Sequence, residues 1–247
     1  WAPTKADMNT LKVINKNGEY PTQEAIIAEQ PDFVTSIYPS ALVDNTSLPN
    51  RDGWQKFGAN AYLMGTECGS STPPVHDFTP LYTDLHNLGV IFDVQDKAEA
   101  EIASIKAKVA ALQAKVAPNP NLKVWTYSGE ESPFPAGNAG MSNAIIEMAG
   151  VSNAFGDLNK GYGDVSWEQV VKRNPDIIWL QTSAGPGFLN EANKILDKLA
   201  SDPRLSNVTA VKKRAFVVVS YNEGPCESPR NVDALEKMIN GLTKVSS

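Results

Sequence analysis

One pattern of this chain recurs as a diverged repeat. Pro21-Thr22-Gln23-Glu24-Ala25-Ile26-Ile27 leads into Gln30-Pro31-Asp32-Phe33-Val34, and Val165-Ser166-Trp167-Glu168-Gln169-Val170-Val171 leads into Asn174-Pro175-Asp176-Ile177-Ile178, at a constant offset of 144 positions. Each copy sets a carboxylate in the first turn of a helix, at the positive end of the helix dipole. Two apolar residues for the buried side follow, then a proline that stops the helix and an Asp ahead of an apolar strand. A chain that repeats helix, turn and strand in this way builds two related α/β halves. By itself the turn is ordinary helix-to-strand punctuation and specifies no chemistry.

Between the copies lies the clearest helical pattern. Ala98, Ile102, Ile105, Val109, Leu112 and Val116 recur at spacings of four and three, with Lys and Glu on the opposite face. The spacing predicts a helix over 96–116 that Asp96 caps and Pro118 and Pro120 end, about 21 residues and roughly 32 Å long. Around it α and β patterns alternate. Helices are predicted near 22–30, 77–90, 141–149, 166–174, 188–200 and 230–242, and strands near 32–37, 60–64, 122–128, 176–182 and 214–220. The runs Phe33-Val34, Ile177-Ile178-Trp179-Leu180 and Phe216-Val217-Val218-Val219 suit strands covered on both faces. The expected fold class is α/β: two sandwich lobes with mainly parallel sheets, bridged by the single long helix. The N-terminal lobe is expected over 1–93, the linker over 94–118 and the C-terminal lobe over 119–247.

Composition narrows the function classes. With 42% hydrophobic and 20% charged residues the chain reads as globular, which excludes disordered and collagen-like readings. No apolar run approaches the roughly 18 to 20 residues of a membrane helix, and the first residues lack a basic, apolar, small-residue signal pattern, so the chain reads as soluble and mature. Net charge is −6 with Lys and Arg scattered, which offers no basic surface to nucleic acid. The two cysteines, Cys68 and Cys226, exclude a Cys-rich zinc module and a CxxC redox site. They leave one disulfide or two free thiols.

At these residues the sequence resembles the solute-binding proteins of ABC importers for iron-siderophores, haem and cobalamin. The likeness runs through Glu-Ala-Ile-Ile-Ala-Glu-Gln-Pro-Asp-Phe-Val, Leu-Gly-Val-Ile-Phe ahead of the long helix, Pro-Phe-Pro-Ala-Gly, Ile-Ile-Glu-Met-Ala-Gly-Val-Ser-Asn-Ala-Phe and Val-Ser-Trp-Glu-Gln-Val-Val-Lys-Arg-Asn-Pro-Asp-Ile-Ile. It implies an extracytoplasmic monomer, lipid-anchored through a segment upstream of Trp1, that captures an iron-siderophore or similar chelate in a cleft between its lobes and delivers it to a permease. Haem, cobalamin and other cofactor-like molecules are the alternative cargo. The resemblance implies no intrinsic cofactor and a metal only inside the bound chelate. It also implies that Glu24 and Glu168 pair with Arg on the permease subunits; carboxylates held on rigid helices set encounter and orientation more than affinity. One departure concerns the first lobe. Family members carry a further strand, helix and strand before the first repeat, whereas only Trp1 to Tyr20 precede it here: either the chain is trimmed or the first lobe is reduced, and the share of the site that those elements supply in the family is open.

Ligands of open α/β sheets sit beyond the carboxyl ends of the strands, so the loops there supply the candidates. These are Tyr38 and Ser40; Thr66, Glu67 and Cys68; Tyr127, Ser128, Glu130, Glu131 and Phe134; Thr182 and Ser183; and Tyr221, Asn222, Glu223 and Arg230. Of these, Tyr38, Glu67, Tyr127, Phe134, Tyr221 and Arg230 are the expected ligand contacts, since aromatic area supplies affinity for a bulky chelate and a few polar groups orient it. Gly137-Asn138-Ala139-Gly140, ahead of a helix, can present N–H groups to an anion or simply make the turn. His76 and His86, the only histidines, do not have the spacing of a metal site. A cell-surface enzyme is the competing class. Against it stand the lack of a Gly-x-Ser-x-Gly elbow, of a His-Glu-x-x-His helix and of any Cys with a neighbouring His.

Overall fold

The structure is a computed structural model that describes residues 12, 14, 20–43, 48–65, 74–129, 131–182, 188–221 and 223–245. The chain divides into two compact units, Trp1–Met64 and Gly65–Ser247.

In the first unit, α1 (Gln23–Ile27), β1 (Phe33–Ser36), a 3-10 turn (Pro39–Ala41), α2 (Arg51–Lys56) and β2 (Asn60–Leu63) follow in order. The strands pair in parallel, Phe33 opposite Asn60 through Ser36 opposite Leu63, with α2 in the crossover. Ala41, Leu42, Leu48, Trp54 and Ala59 form its core, and Val34, Ala61 and Leu63 pack on it. β1 is not covered on both faces as expected: Thr35 is exposed and its neighbours are only partly buried. A two-stranded sheet has too little flanking surface to bury both sides of a strand.

The second unit contains α3 (Thr79–Ile91), α4 (Gln95–Gln113), β3 (Lys123–Tyr127), α5 (Met141–Met148), β4 (Ser152–Asn153), α6 (Trp167–Arg173), β5 (Ile177–Thr182), α7 (Phe188–Ser201), a 3-10 turn (Pro203–Leu205), α8 (Thr209–Lys212), β6 (Phe216–Ser220) and α9 (Asn231–Val245). Its four strands are parallel in the order β4-β3-β5-β6. All six residues of β5 are buried. Ile177 and Trp179 face the layer of α3, α4, α5 and α9, while Ile178 and Leu180 face α6, α7 and α8. This two-sided covering is what an unbroken apolar run requires of a central parallel strand. The mixed α/β class with mainly parallel sheets is therefore as expected.

The two units divide at Met64 and Gly65, and α3 and α4 form a hairpin within the second. Gly89 lets the two helices touch: a Cβ there would stand 2.6 Å from the Ala98 Cβ. Ile105, Val109 and Leu112 of α4 then bury in the core shared with α5 and α9. Asp96 does not cap this helix. Val94 holds the cap position without a side-chain bond, and Asp96 lies in the first turn, where its charge meets the dipole. The helix closes at Gln113 with Ala114 at the cap, short of the 116 expected.

In both repeats the Glu is the second helical residue after a hydroxyl cap. Thr22 Oγ1 accepts from the Ala25 N–H, and Ser166 forms a capping box with Gln169. The proline is not what ends these helices. Gln30 and Asn174 take left-handed conformations, at φ 49° and 46°, and reverse the chain before the proline is reached. Of the apolar pair in the second copy, Val170 is wholly buried and Val171 is exposed.

Candidate functional site

The carboxyl edge of the four-stranded sheet is built over by two segments that the sequence does not mark as strands. Residues 133–137 run antiparallel to 161–165: Gly137 N–H donates to Gly161 O (3.0 Å), Gly163 N–H to Pro135 O (3.2 Å) and Val165 N–H to Pro133 O (3.3 Å). The Ala136 N–H reaches back to Thr126 Oγ1 at 2.6 Å, which fixes this ladder on the end of β3.

That pairing stacks Phe134 on Tyr162, with ring centroids 5.8 Å apart and planes 15° from parallel. Both rings are partly buried. Beneath them lies a closed polar triangle. The Tyr162 hydroxyl donates to Gln181 Oε1 (3.0 Å) and sits 3.2 Å from Ser142 Oγ, and Gln181 Nε2 donates to Ser142 Oγ (2.9 Å). Gln181 and Ser142 are buried at the ends of β5 and α5, so the triangle holds the Tyr162 ring against sheet and helix at once. Burial pushes the Tyr162 phenol well above the ordinary tyrosine range, and the neighbouring Tyr221 adds to the rise. Tyr162 is thus a neutral donor with a fixed ring.

Tyr221, 38% exposed, begins the loop after β6, and its N–H donates to Thr182 O at 2.7 Å. The loop is organised by Asn231, which is fully buried. Its Nδ2 donates to the carbonyls of Glu223 (2.8 Å), Gly224 (3.1 Å) and Cys226 (3.0 Å), and its Oδ1 accepts from the Ser228 N–H (2.8 Å). Thr182 is 3% exposed at the end of β5, and its Oγ1 has no hydrogen-bond partner among the described residues.

The expected contacts divide accordingly. Phe134 and Tyr221 come to this edge. Tyr127 does not offer a face there: it is 3% exposed and packs 5.0 Å from Trp125 and 6.0 Å from Trp167 in the core. Arg230 is exposed immediately ahead of α9, and Glu131 is exposed after β3. Tyr38 is exposed in the first unit, in a turn where its N–H donates to Ser36 Oγ. Thr66, Glu67, Cys68, Glu130, Ser183 and Asn222 lie outside the described residues. Cys226 is disulfide-bonded.

The glycine segment makes the turn rather than an anion cradle. The N–H groups of Gly137, Asn138 and Ala139 are taken by the carbonyls of Gly161, Leu158 and Lys160. A Cβ on Gly137 would come within 2.4 Å of Leu158 O and Lys160 O, so only glycine permits that approach. The histidines are engaged elsewhere, His76 with Glu147 (2.6 Å) and His86 with Glu99 (2.7 Å). An apolar cavity of about 460 Å³ lined by Val116, Leu122, Val151, Ile239 and Leu242 lies at the opposite edge, where β3 and β4 begin.

Glu24 and Glu168 are both exposed at their helix starts. The Glu168 carboxyl is held below its ordinary range by the Ser166 hydroxyl, then by its own backbone N–H, with Arg204 nearby.

Comparison with known proteins bears on what this edge does. A family model described as periplasmic binding protein matches residues 1–221. Molybdate-binding protein MolA of Haemophilus influenzae is 23% identical over 211 residues, which cover 80% of this chain and 56% of that protein, so the chain spans little more than half of that relative. A periplasmic binding protein from Veillonella parvula superposes with a TM-score of 0.83 at 26% identity, covering 98% of this chain and 79% of the other. A protein of an ABC-type Fe3+-hydroxamate transport system from Saccharomonospora viridis shares the fold, with a TM-score of 0.75 at 23% identity over 98% of this chain and 80% of its own.

Proposed function

The chain belongs to the periplasmic binding protein family, and from that premise we propose that it captures an organic metal chelate of the iron-siderophore type at the carboxyl edge of the second unit's sheet and delivers it to an ABC permease. The family is one of substrate-binding transport proteins that act outside the cytoplasm, not of enzymes.

The observation that carries the ligand class is the stack of Phe134 on Tyr162, anchored from below by Gln181 and Ser142. A rigid aromatic platform with a polar rim, Tyr221 beside it, suits a bulky ligand that gains affinity from area and orientation from a few hydrogen bonds. A bare oxyanion such as the molybdate of the Haemophilus relative needs converging N–H donors. Here the N–H groups of Gly137, Asn138 and Ala139 are already committed to carbonyls. The Tyr162 phenol is neutral and its one proton is committed to Gln181, so it is the ring that is offered to a preformed chelate, and direct metal coordination by a phenolate is disfavoured.

Glu24 and Glu168 are proposed to register the protein on the permease. Both are exposed second residues of capped helices, a placement that fixes the backbone under each carboxylate. Uptake should fall in the Glu24→Ala, Glu168→Ala double variant while ligand affinity stays unchanged; unchanged uptake would overturn the docking role.

The ligand reading is tested by native mass spectrometry and intrinsic-fluorescence titration with ferric hydroxamates, ferric catecholates, haem, cobalamin and molybdate. One-to-one saturable binding of an unaltered siderophore chelate is the expected result. Binding of molybdate alone, or of nothing in the panel, would overturn it.

A further inference from the structure

We infer that Arg204 is a second docking contact beside Glu168, presenting a fixed guanidinium to an acceptor group, a carboxylate or a helix-end carbonyl, on the permease subunit. The inference rests on the docking role proposed for Glu168 and specifies the chemistry of its partner.

Arg204 lies in the 3-10 turn Pro203–Leu205, whose fully buried Leu205 ties it to the core. Asp202 caps the turn and binds the same residue three further times. Its Oδ1 accepts from the Arg204 N–H (2.9 Å) and Nε (3.0 Å), and its Oδ2 accepts from Nε (3.1 Å) and Nη2 (2.6 Å). The guanidinium carbon sits 4.8 Å from the ring centroid of Trp167, the residue immediately before Glu168. Trp167 is held in turn by edge contacts with Trp125 and Tyr127.

The guanidinium is therefore pinned on one edge and one face, yet the side chain remains 57% exposed. Its Nη1 meets no acceptor among the described residues, and its ion pair is with Asp202 rather than Glu168. A pinned Arg loses little rotamer freedom when a partner arrives, which is the main expense of using a long side chain at an interface. Arg204 and Glu168 lie within electrostatic reach of each other. The surface thus offers a carboxylate and a guanidinium side by side, and its counterpart must offer a cationic donor to Glu168 and an acceptor to Arg204 in the same arrangement. Glu24 differs, having no ion-pair partner among the described residues, while Lys12 pairs with Glu29.

The test uses the full chain and its permease in nanodiscs, with docking rates followed as a function of ionic strength and ligand affinity measured in parallel. Arg204→Gln should weaken docking by roughly threefold and Arg204→Glu by roughly tenfold, mainly through the association rate, with the loss fading as salt rises. Arg204→Lys, which keeps charge but not the fork, should fall between Gln and wild type. Ligand affinity should not change. If Arg204→Gln lowers only the melting temperature and leaves the association rate and its salt dependence intact, Arg204 is structural and the inference fails. Should Glu168→Gln weaken docking while Arg204→Glu does not, this inference alone is overturned; should both dock as wild type, the docking role of Glu168 falls with it.

Discussion

Gln30 and Asn174, equivalent positions of the internal repeat, both adopt the left-handed conformation immediately before a Pro-Asp pair, at φ 49° and 46°. The conformation is strained for any residue with a Cβ, least so for Asn. Gln30→Gly should raise stability by about 1 kcal/mol. Asn174→Gly should gain little or lose stability, because Asn174 Oδ1 also accepts from the Thr209 N–H at 2.8 Å. Thermal and urea unfolding of the two variants would show the contrast; equal stabilisation would mean that the Thr209 bond contributes nothing.

Phe134→Ala removes the upper ring of the stack. Chelate affinity should fall by roughly 1–2 kcal/mol, about five- to thirtyfold in Kd. Tyr127→Phe, altering a ring buried in the core, should leave Kd within about twofold. The two titrations together separate a ligand-facing aromatic from a packing one.

Asn231→Leu strips the loop after β6 of its donor to three carbonyls and its acceptor for the Ser228 N–H. Buried polar groups left without partners typically destabilise by about 1–3 kcal/mol each, partly relieved where water enters. A drop in stability of roughly 2–4 kcal/mol is expected. Hydrogen exchange should localise the new opening to 221–230, and chelate binding should weaken as Tyr221 loses its support.

The Tyr162 phenol is disfavoured as phenolate in the fold and not in the unfolded chain. Its folded pKa is raised, so the stability it contributes is complete below the unfolded tyrosine value, about 10, and is lost as pH climbs above it. Alkaline absorbance titrations of wild type and Tyr162→Phe should overlay until the wild type unfolds. Melting temperature should decline more steeply above pH ~10 in the wild type than in the variant. A phenolate appearing in the folded protein near pH 10 would contradict the buried triangle.

Local periodicity carried much of this protein. The uninterrupted apolar run of β5, the spacing of Ile102, Ile105, Val109 and Leu112 along α4, and the repeated helix–turn–strand each follow from neighbours within a few residues, and each element formed near its expected place. β4, two residues long, and α8, four residues long, leave no periodic trace. Phe134 and Tyr221 were legible as aromatics in loops after strands. Tyr127 was misleading for a reason present in the sequence: it follows Trp125 by two positions in one strand and so shares its buried face.

What the sequence determined by itself was the α/β class, the repeated carboxylate-bearing turns and the family, because these rest on short-range pattern. The candidate site was decided by tertiary structure. Tyr162 reads as an aromatic between two glycines until the antiparallel pairing of 133–137 with 161–165 lays it under Phe134, and Asn231 reads as a helix start until the loop folds back to it. Arg204 became part of a surface only when the turn at Pro203–Leu205 set it on Trp167. The two ring contacts join residues more than 20 positions apart, and Asn231 reaches carbonyls 5 to 8 positions before it, in each case with no periodic signature. Their geometry is set by backbone groups that must find partners once the core has closed.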